Sequence, residues 1–272
     1  NVASIQRTKI ILGPRICRKM ARFSHSYSYC LVFDNLRITY IIIVLQYLSI
    51  SKALNMKFNR IDIAKWNRRE HYHHYISELR CTYSLTANID ITGLRAAVKQ
   101  MGRKIYPVQI YMIAAVVNRY DEFRMDFDPE GELGYWDEVN PSYAVFNEDN
   151  ETFSSIWTNY NPIFSRFYDS WMEDIEKYSH SARFNPKPNE PSNSFTISSV
   201  PWVNFSGFNI NVFNEGRYLR PIFTIGKFSE TGGSVLMPLA IQVHHAVCDG
   251  FNVGRFIKSL QDMASNYEKW LF

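Results

Sequence analysis

From residue 56 onward the chain alternates strand-like and helical segments, with no glycine-rich phosphate loop and no sustained internal repeat. That interleaving is the strongest constraint on the fold. Each segment has an apolar face that must be buried against a neighbour of the other kind, so the expected architecture is an α/β two-layer sandwich: a mixed β-sheet with helices packed on it. With 272 residues, 46% of them hydrophobic, the chain can bury a core of the size this needs.

The strand-like pieces alternate or carry β-branched and aromatic residues between turn residues. They are FNRIDI before a helix over 68–79, then CTYSLTANIDI, FRMDF, ELGYW and YAVFN, and later FTISSVPWVNF, NINVF, RPIFTIGKF and SVLMPLAIQVHH. Thr92 is placed to cap a helix whose Leu94, Val98 and Met101 share a face, and Tyr106-Pro107 starts a more apolar helix running through Val117 to Phe123. A polar helix is expected over 163–178, a Pro/Asn/Ser loop over 181–194, and a closing helix from Asp249 to about Lys269 with Phe256, Leu260, Met263 and Tyr267 on its buried stripe.

The first 55 residues have a different texture. They hold eight Lys/Arg against one acid, Asp34, whereas the rest of the chain carries a net charge of −3. The overall charge of +4 therefore says nothing about the body of the protein, which shows no nucleic-acid footprint. Residues 1–55 are read as an appendage, such as translated upstream sequence, and 56–272 as the functional domain. A membrane-associating leader and an integral part of the fold are the alternatives for the first segment. Its apolar run, Ile38 to Ile50, is shorter than the roughly 20 residues a helix needs to cross a bilayer, so no membrane anchor is expected. Four scattered cysteines without CxxC spacing argue against a zinc site and a disulfide framework, and a reducing, cytoplasmic setting fits.

Chemistry concentrates near the end of the chain, where LAIQVHHAVCDGF puts His244 and His245 at the end of an apolar strand, with Asp249 and Gly250 just behind. Imidazole titrates nearest neutrality of all side chains, so a histidine fixed at a strand end is equipped to draw a proton from a hydroxyl or thiol. On these residues alone, a core histidine pair followed by a turn fits equally. The His71, His73 and His74 cluster lacks an acid or cysteine at ligand spacing, and no metal site is expected there.

Several blocks together decide the matter: WNRREHYHHY from Trp66, KIYPVQIY from Lys104, YWDEVNPSYAVF from Tyr135, NETFSS, ISSVPWVNFSGFNINV from Ile197, PIFTIGKF from Pro221 and MPLAIQVHHAVCDGF from Met237. In this order they resemble the chloramphenicol acetyltransferases, over residues 56 to about 261. The resemblance implies a cytoplasmic homotrimer with sites between subunits, in which acetyl-CoA, as cosubstrate, acetylates the C3 hydroxyl of chloramphenicol and so confers resistance. It assigns His245 as general base, with its tautomer fixed by a backbone carbonyl, and His244 a structural role. Ser198 becomes the oxyanion donor and Thr224 the holder of an ordered water. Asp249 pairs with Arg68 to fix the loop carrying His245, Gly250 permits the turn into the closing helix, and Asp249 helps cap that helix.

By the same resemblance Tyr75, Leu79, Phe153, Phe208, Ile210 and Val212 line the acceptor pocket. Lys104 and Lys227 reach the 3′-phosphate of coenzyme A, and Tyr106 and Phe228 lie near its adenine and pantetheine. Two departures are visible: Phe228 stands where tyrosine is common, and Asn252 where histidine is frequent, a change expected to matter little. A lipoamide acyltransferase of the same fold would need lipoyl and subunit-binding segments, which are absent from this sequence. A noncatalytic trimeric binder has no use for the intact set of Arg68, Ser198, His245 and Asp249.

Overall fold

The structure, a computed structural model, describes residues 57–212 and 216–272; the expectations for residues 1–55, Met56 and Phe213 fall outside the described residues. The elements are β1 (Phe58–Arg60), α1 (Arg69–His73), β2 (Thr82–Asp90), α2 (Thr92–Gln100), α3 (Ile105–Val117), β3 (Met125–Phe127), β4 (Leu133–Trp136), β5 (Asn140–Asn147), β6 (Thr152–Trp157), α4 (Phe164–Tyr178), β7 (Ser194–Val200), β8 (Ile222–Gly226), β9 (Ser229–Thr231), β10 (Ser234–His244) and α5 (Gly250–Ser265). A seven-stranded sheet runs β2-β10-β8-β7-β5-β6, with β9 also on β10, and a three-stranded sheet runs β1-β4-β3. Strand β7 is parallel to β5 and β8, and the other pairings are antiparallel. The mixed sheet with helices is therefore present as expected.

Strand alternation divides the large sheet into two faces. On one, Phe223 of β8 stacks on Phe256 of α5 at 5.1 Å and meets Phe195 of β7 at 5.7 Å. Helix α3 is apolar all round, and residues 107–117 are all buried, which makes it the spine of this layer. Residues on the other face are smaller and more polar: Thr86, Ala240, Thr224 and Ser198 stand side by side across β2, β10, β8 and β7. This second face is crossed by residues 201–212, where Asn204 Nδ2 donates to the Lys227 carbonyl and the Ile210 N–H donates to Gln242 Oε1.

Proline 238 shows why β10 tolerates an imide inside a central strand. It falls between the β9 pairing, which ends at Leu236, and the β8 pairing, which starts at Leu239, so its missing N–H deprives no ladder partner. Opposite it, a Cβ on Gly226 would sit 2.6 Å from Phe205 Cε1 and 2.8 Å from Pro238 Cγ. Gly226→Ala is expected to cost about 1–3 kcal/mol through overpacking, read as a lower urea midpoint at fixed protein concentration. An unchanged midpoint would contradict this packing.

Several local expectations are corrected. Thr92 does not cap α2: its hydroxyl donates to Asp90 Oδ1 and accepts from the Val235 N–H, tying the helix start to β10 instead. The apolar helix stops at Val117 because the Asn118 side chain takes over, donating to the Ala114 and Val139 carbonyls and accepting from the Val139 N–H. The helix expected over 68–79 is present, α-helical over Arg69–His73 and continuing as one π-helical turn over His74–Glu78. The segment from FTISS leaves the sheet at Val200, and the described part of NINVF, 209–212, is loop because its backbone bonds the Gln242 side chain rather than a strand. Strand β6, missing from the strand expectations, lies in the NETFSS block. Gly250 has no left-handed φ, and a Cβ there would meet nothing within 4 Å, so the turn does not require glycine.

Candidate active site

His245 lies immediately beyond β10, and its backbone N–H donates to the Cys81 carbonyl at 2.9 Å, prolonging the β2 ladder by one step. Three Arg68 bonds hold the loop that follows. Nε donates to the Ala246 carbonyl at 3.0 Å, Nη2 to the His245 carbonyl at 2.9 Å, and Nη1 to Asp249 Oδ2 at 2.6 Å. One planar guanidinium thus fixes the backbone of the candidate base, its successor and the acid four residues on. Burial by itself would raise the Asp249 pKa, but the Arg68 hydrogen bond, the Asn252 N–H and the Arg68 charge outweigh it, and the carboxyl stays below its ordinary range.

The same carboxylate caps α5, accepting from the Phe251 and Asn252 N–H groups. Asn252 completes the box: its Oδ1 accepts from the Asp249 N–H and its Nδ2 donates to Glu122 Oε1. Asn252 thus holds Asp249 from the other side.

His244 is 1% exposed; its Nε2 donates to the Gly216 carbonyl and its Nδ1 accepts from the Ala246 N–H. Burial depresses its pKa, a neighbouring His245 pushes the same way, and the Gly216 carbonyl only partly opposes them. It is a neutral structural group, as expected.

The orientation of His245 has another cause than the one expected. Its Nδ1 is buried and finds no hydrogen-bond partner among the described residues, so no backbone carbonyl fixes the tautomer. Aromatic packing fixes the ring instead: Tyr75 stacks on it at 4.0 Å and 10°, and Tyr83 meets it edge-on at 5.2 Å. Tyr75, expected in the acceptor pocket, is placed against the base. Leu79, at the end of the following helical turn, is exposed.

Ser198 belongs to a different locality. It lines a cavity of about 920 Å³ together with Lys104, Tyr106, Phe153, Lys227 and Phe228. Four coenzyme candidates, one acceptor candidate and the oxyanion candidate therefore converge. Thr224, 2% exposed, pairs with Ser198 in register and sits directly beneath this wall. Tyr106 donates its hydroxyl to the Ala144 carbonyl, and burial raises its pKa, so it packs and stays protonated. Phe208 lines a separate, polar recess of about 390 Å³ with Tyr83, Ser84 and Gln242, while Ile210 and Val212 border the loop beside it.

His245 does not line the large cavity. The row containing Ser198 crosses β10 at Ala240. His245 is five residues further along, roughly 16 Å at the usual rise per residue. Sequence reasoning missed Arg95 and Glu230 on the cavity rim, along with Phe146 and Trp202, whose rings meet edge-on at 4.7 Å. Their spacing carries no signal; they converge only because α2, β5, β9 and the loop after β7 meet there.

The histidine cluster does have an acid at ligand spacing, Glu78 at 2.7 Å from His74, which corrects the expected lack of one; among the described residues no group of three His, Cys, Asp or Glu is placed to hold a metal. No helix among them is long and apolar enough to cross a membrane.

The mixed sheet, with a candidate histidine base at a strand end and an apolar cavity rimmed by lysines, has the architecture of the coenzyme-A-dependent acyltransferases. The fold is that of a solved chloramphenicol acetyltransferase, with a TM-score of 0.71, 22% identity, and coverage of 76% of this chain and 100% of that one. It is also that of the Azotobacter vinelandii dihydrolipoamide acetyltransferase, with a TM-score of 0.55, 19% identity, and coverage of 71% and 84%. The family model for chloramphenicol acetyltransferase matches residues 56–261, and a Clostridium perfringens chloramphenicol acetyltransferase is 56% identical over 79% of this chain and 99% of its own. The chain belongs to the chloramphenicol acetyltransferase family.

Proposed function

We propose that the chain transfers the acetyl group of acetyl-CoA to the C3 hydroxyl of chloramphenicol, and that it does so as a homotrimer with each site built from two copies. His245 Nε2 takes the hydroxyl proton as the oxygen attacks the thioester carbonyl. The Ser198 hydroxyl donates to the resulting oxyanion, and Thr224 holds a water beside it. Collapse expels the CoA thiolate, which recovers the proton from His245, and no acyl-enzyme is needed. Arg68 and Asp249 touch no substrate; they position the loop.

One observation carries this reading. Within one copy the base with its brace is offset from the row of the oxyanion donor by roughly 16 Å along the strands and by two strands across the sheet, so a single copy holds two half-sites. A second copy bringing its His245 to the first copy's cavity completes a site, and closed rotational symmetry repeats it at every interface. Tyr75 and Leu79 then approach the acceptor from the base's side and Phe153 from the cavity's side, while Phe208, Ile210 and Val212 lie along the loop between. Lys104 and Lys227, both exposed on the rim, suit the phosphates of the cosubstrate, and Tyr106 and Phe228 its adenine and pantetheine. Residues 56–272 form the catalytic unit in this reading, and 1–55 an appendage. The free thiols of Cys81 and Cys248 accord with a reducing, cytoplasmic setting and a resistance role there.

The test is thiol release from acetyl-CoA. The protein is expected to liberate CoA only when chloramphenicol is present and to yield the 3-acetyl ester. Equal release without chloramphenicol, or with an analogue lacking the C3 hydroxyl, would overturn the assignment.

A further inference from the structure

The large cavity has a third cation on its rim, and it is arranged differently from the other two. Lys104 and Lys227 are exposed and have no carboxylate partner among the described residues; Lys104 Nζ only stands over the Trp171 ring at 5.8 Å. Arg95, on α2, is held instead. Its Nη1 bonds Glu230 Oε1 of β9 at 2.7 Å, and its guanidinium stands over the Phe228 ring at 5.6 Å. Arg95, Phe228 and Glu230 all line the same cavity as Ser198. The Arg95–Glu230 pair is open to water, with side chains 42% and 71% exposed. Such a pair contributes little to stability and exchanges partners readily.

A cavity with apolar walls and cations gathered at its rim fits a ligand with a neutral arm and a polyanionic end. A guanidinium is the better receiver of phosphate oxygens, because its planar fork can donate two parallel hydrogen bonds where an ammonium offers a point charge. Glu230 stands where phosphate would come, and its charge opposes that approach.

We propose that Arg95 is a third phosphate-binding residue for coenzyme A, exchanging Glu230 for a phosphate of the ligand when CoA binds. This rests on the cavity being the coenzyme site, as the proposed function has it. Phe228 is the pivot of the exchange: the guanidinium keeps its position over the ring while its fork turns from carboxylate to phosphate. Glu230 then sets the affinity for the cosubstrate downward, which eases departure of the spent CoA.

Calorimetric titration with CoA tests this independently of turnover. Arg95→Gln, on an exposed helix face, is expected to raise the Kd for CoA by about three- to tenfold, with kcat within twofold of the parent. Glu230→Gln is expected to lower the Kd by about two- to fivefold, and the double variant to match Arg95→Gln. With acetylpantetheine, a thioester without the nucleotide phosphates, Arg95→Gln should turn over at the parental rate. An unchanged Kd in Arg95→Gln, an equal loss with acetylpantetheine, or weaker CoA binding by Glu230→Gln would each overturn the exchange. If the parent binds CoA but does not acetylate chloramphenicol, the functional reading fails while the Kd values still decide the role of Arg95. If the parent does not bind CoA at all, both fall.

Discussion

His245→Ala is expected to lower acetyl transfer to chloramphenicol by about 100- to 10,000-fold, the range for losing a positioned general base, if His245 serves as proposed. Ser198→Ala, which removes the proposed oxyanion donor, is expected to lower it by about 100- to 1,000-fold. The informative result comes from producing the two variants together in one cell. If each site takes its base from one copy and its oxyanion donor from the next, a mixed trimer contains one site with both residues intact, one lacking only one of them and one lacking both. Random assembly of equal amounts then restores about one quarter of the parental activity, far above either variant alone. If base and donor of the same chain met in one site, every site would carry one lesion and coexpression would restore nothing. A thiol-release assay on copurified, differently tagged chains separates the outcomes. Separation by roughly 16 Å along β10 predicts restoration, and its absence would sink the two-copy site.

How far the site could be read from sequence depends on how local its causes are. The ladder that carries His245 follows from an apolar strand ending in the paired histidines, and the strand over 82–90 and the helices after Ile163 and Asp249 were legible from periodicity. Asp249 was recognised both as the partner of Arg68 and as a cap, because the resemblance tied it to Arg68 across 181 positions. What stayed hidden was decided by contacts from elsewhere. The ring of His245 is held by Tyr75 and Tyr83 rather than by a carbonyl, and no spacing in the sequence announces a stacking partner 170 residues away. The bond from Asn252 to Glu122 stayed hidden too, because Glu122 arrives from the turn before β3. NINVF reads as a strand by composition, yet the buried Gln242 side chain claims its backbone. The end of α3 is similar: propensity would carry the helix on, and Asn118 ends it by reaching across to Val139.

Arg68→Ala should be the most damaging change outside the substrate-contacting residues, because one side chain serves three acceptors. Its removal strands the Asp249 carboxylate and the carbonyls of His245 and Ala246 together. Losing one partner of a fully buried pair commonly costs about 3–5 kcal/mol. Asp249 is about one-third exposed, so water recovers part of that, and a loss of about 2–4 kcal/mol is expected. Arg68→Lys recovers only part of it, since an ammonium cannot reach three acceptors in a fixed fork. The pH dependence identifies the ionic share. With its folded pKa depressed, Asp249 contributes stability that is complete above the ordinary carboxylate value of about 4 and is lost as pH falls through the folded value. The gap in denaturation midpoint between parent and Arg68→Ala, measured at one protein concentration, should therefore stay constant from pH 5 to 8 and narrow below about pH 4. His244 also weakens the fold on acidification, from about pH 6.5 downward, because only the unfolded chain takes up its proton readily. That loss is common to both proteins and leaves the gap untouched. A gap that opened or closed between pH 5 and 8 would show that another group, rather than the Asp249 carboxylate, is what Arg68 answers to.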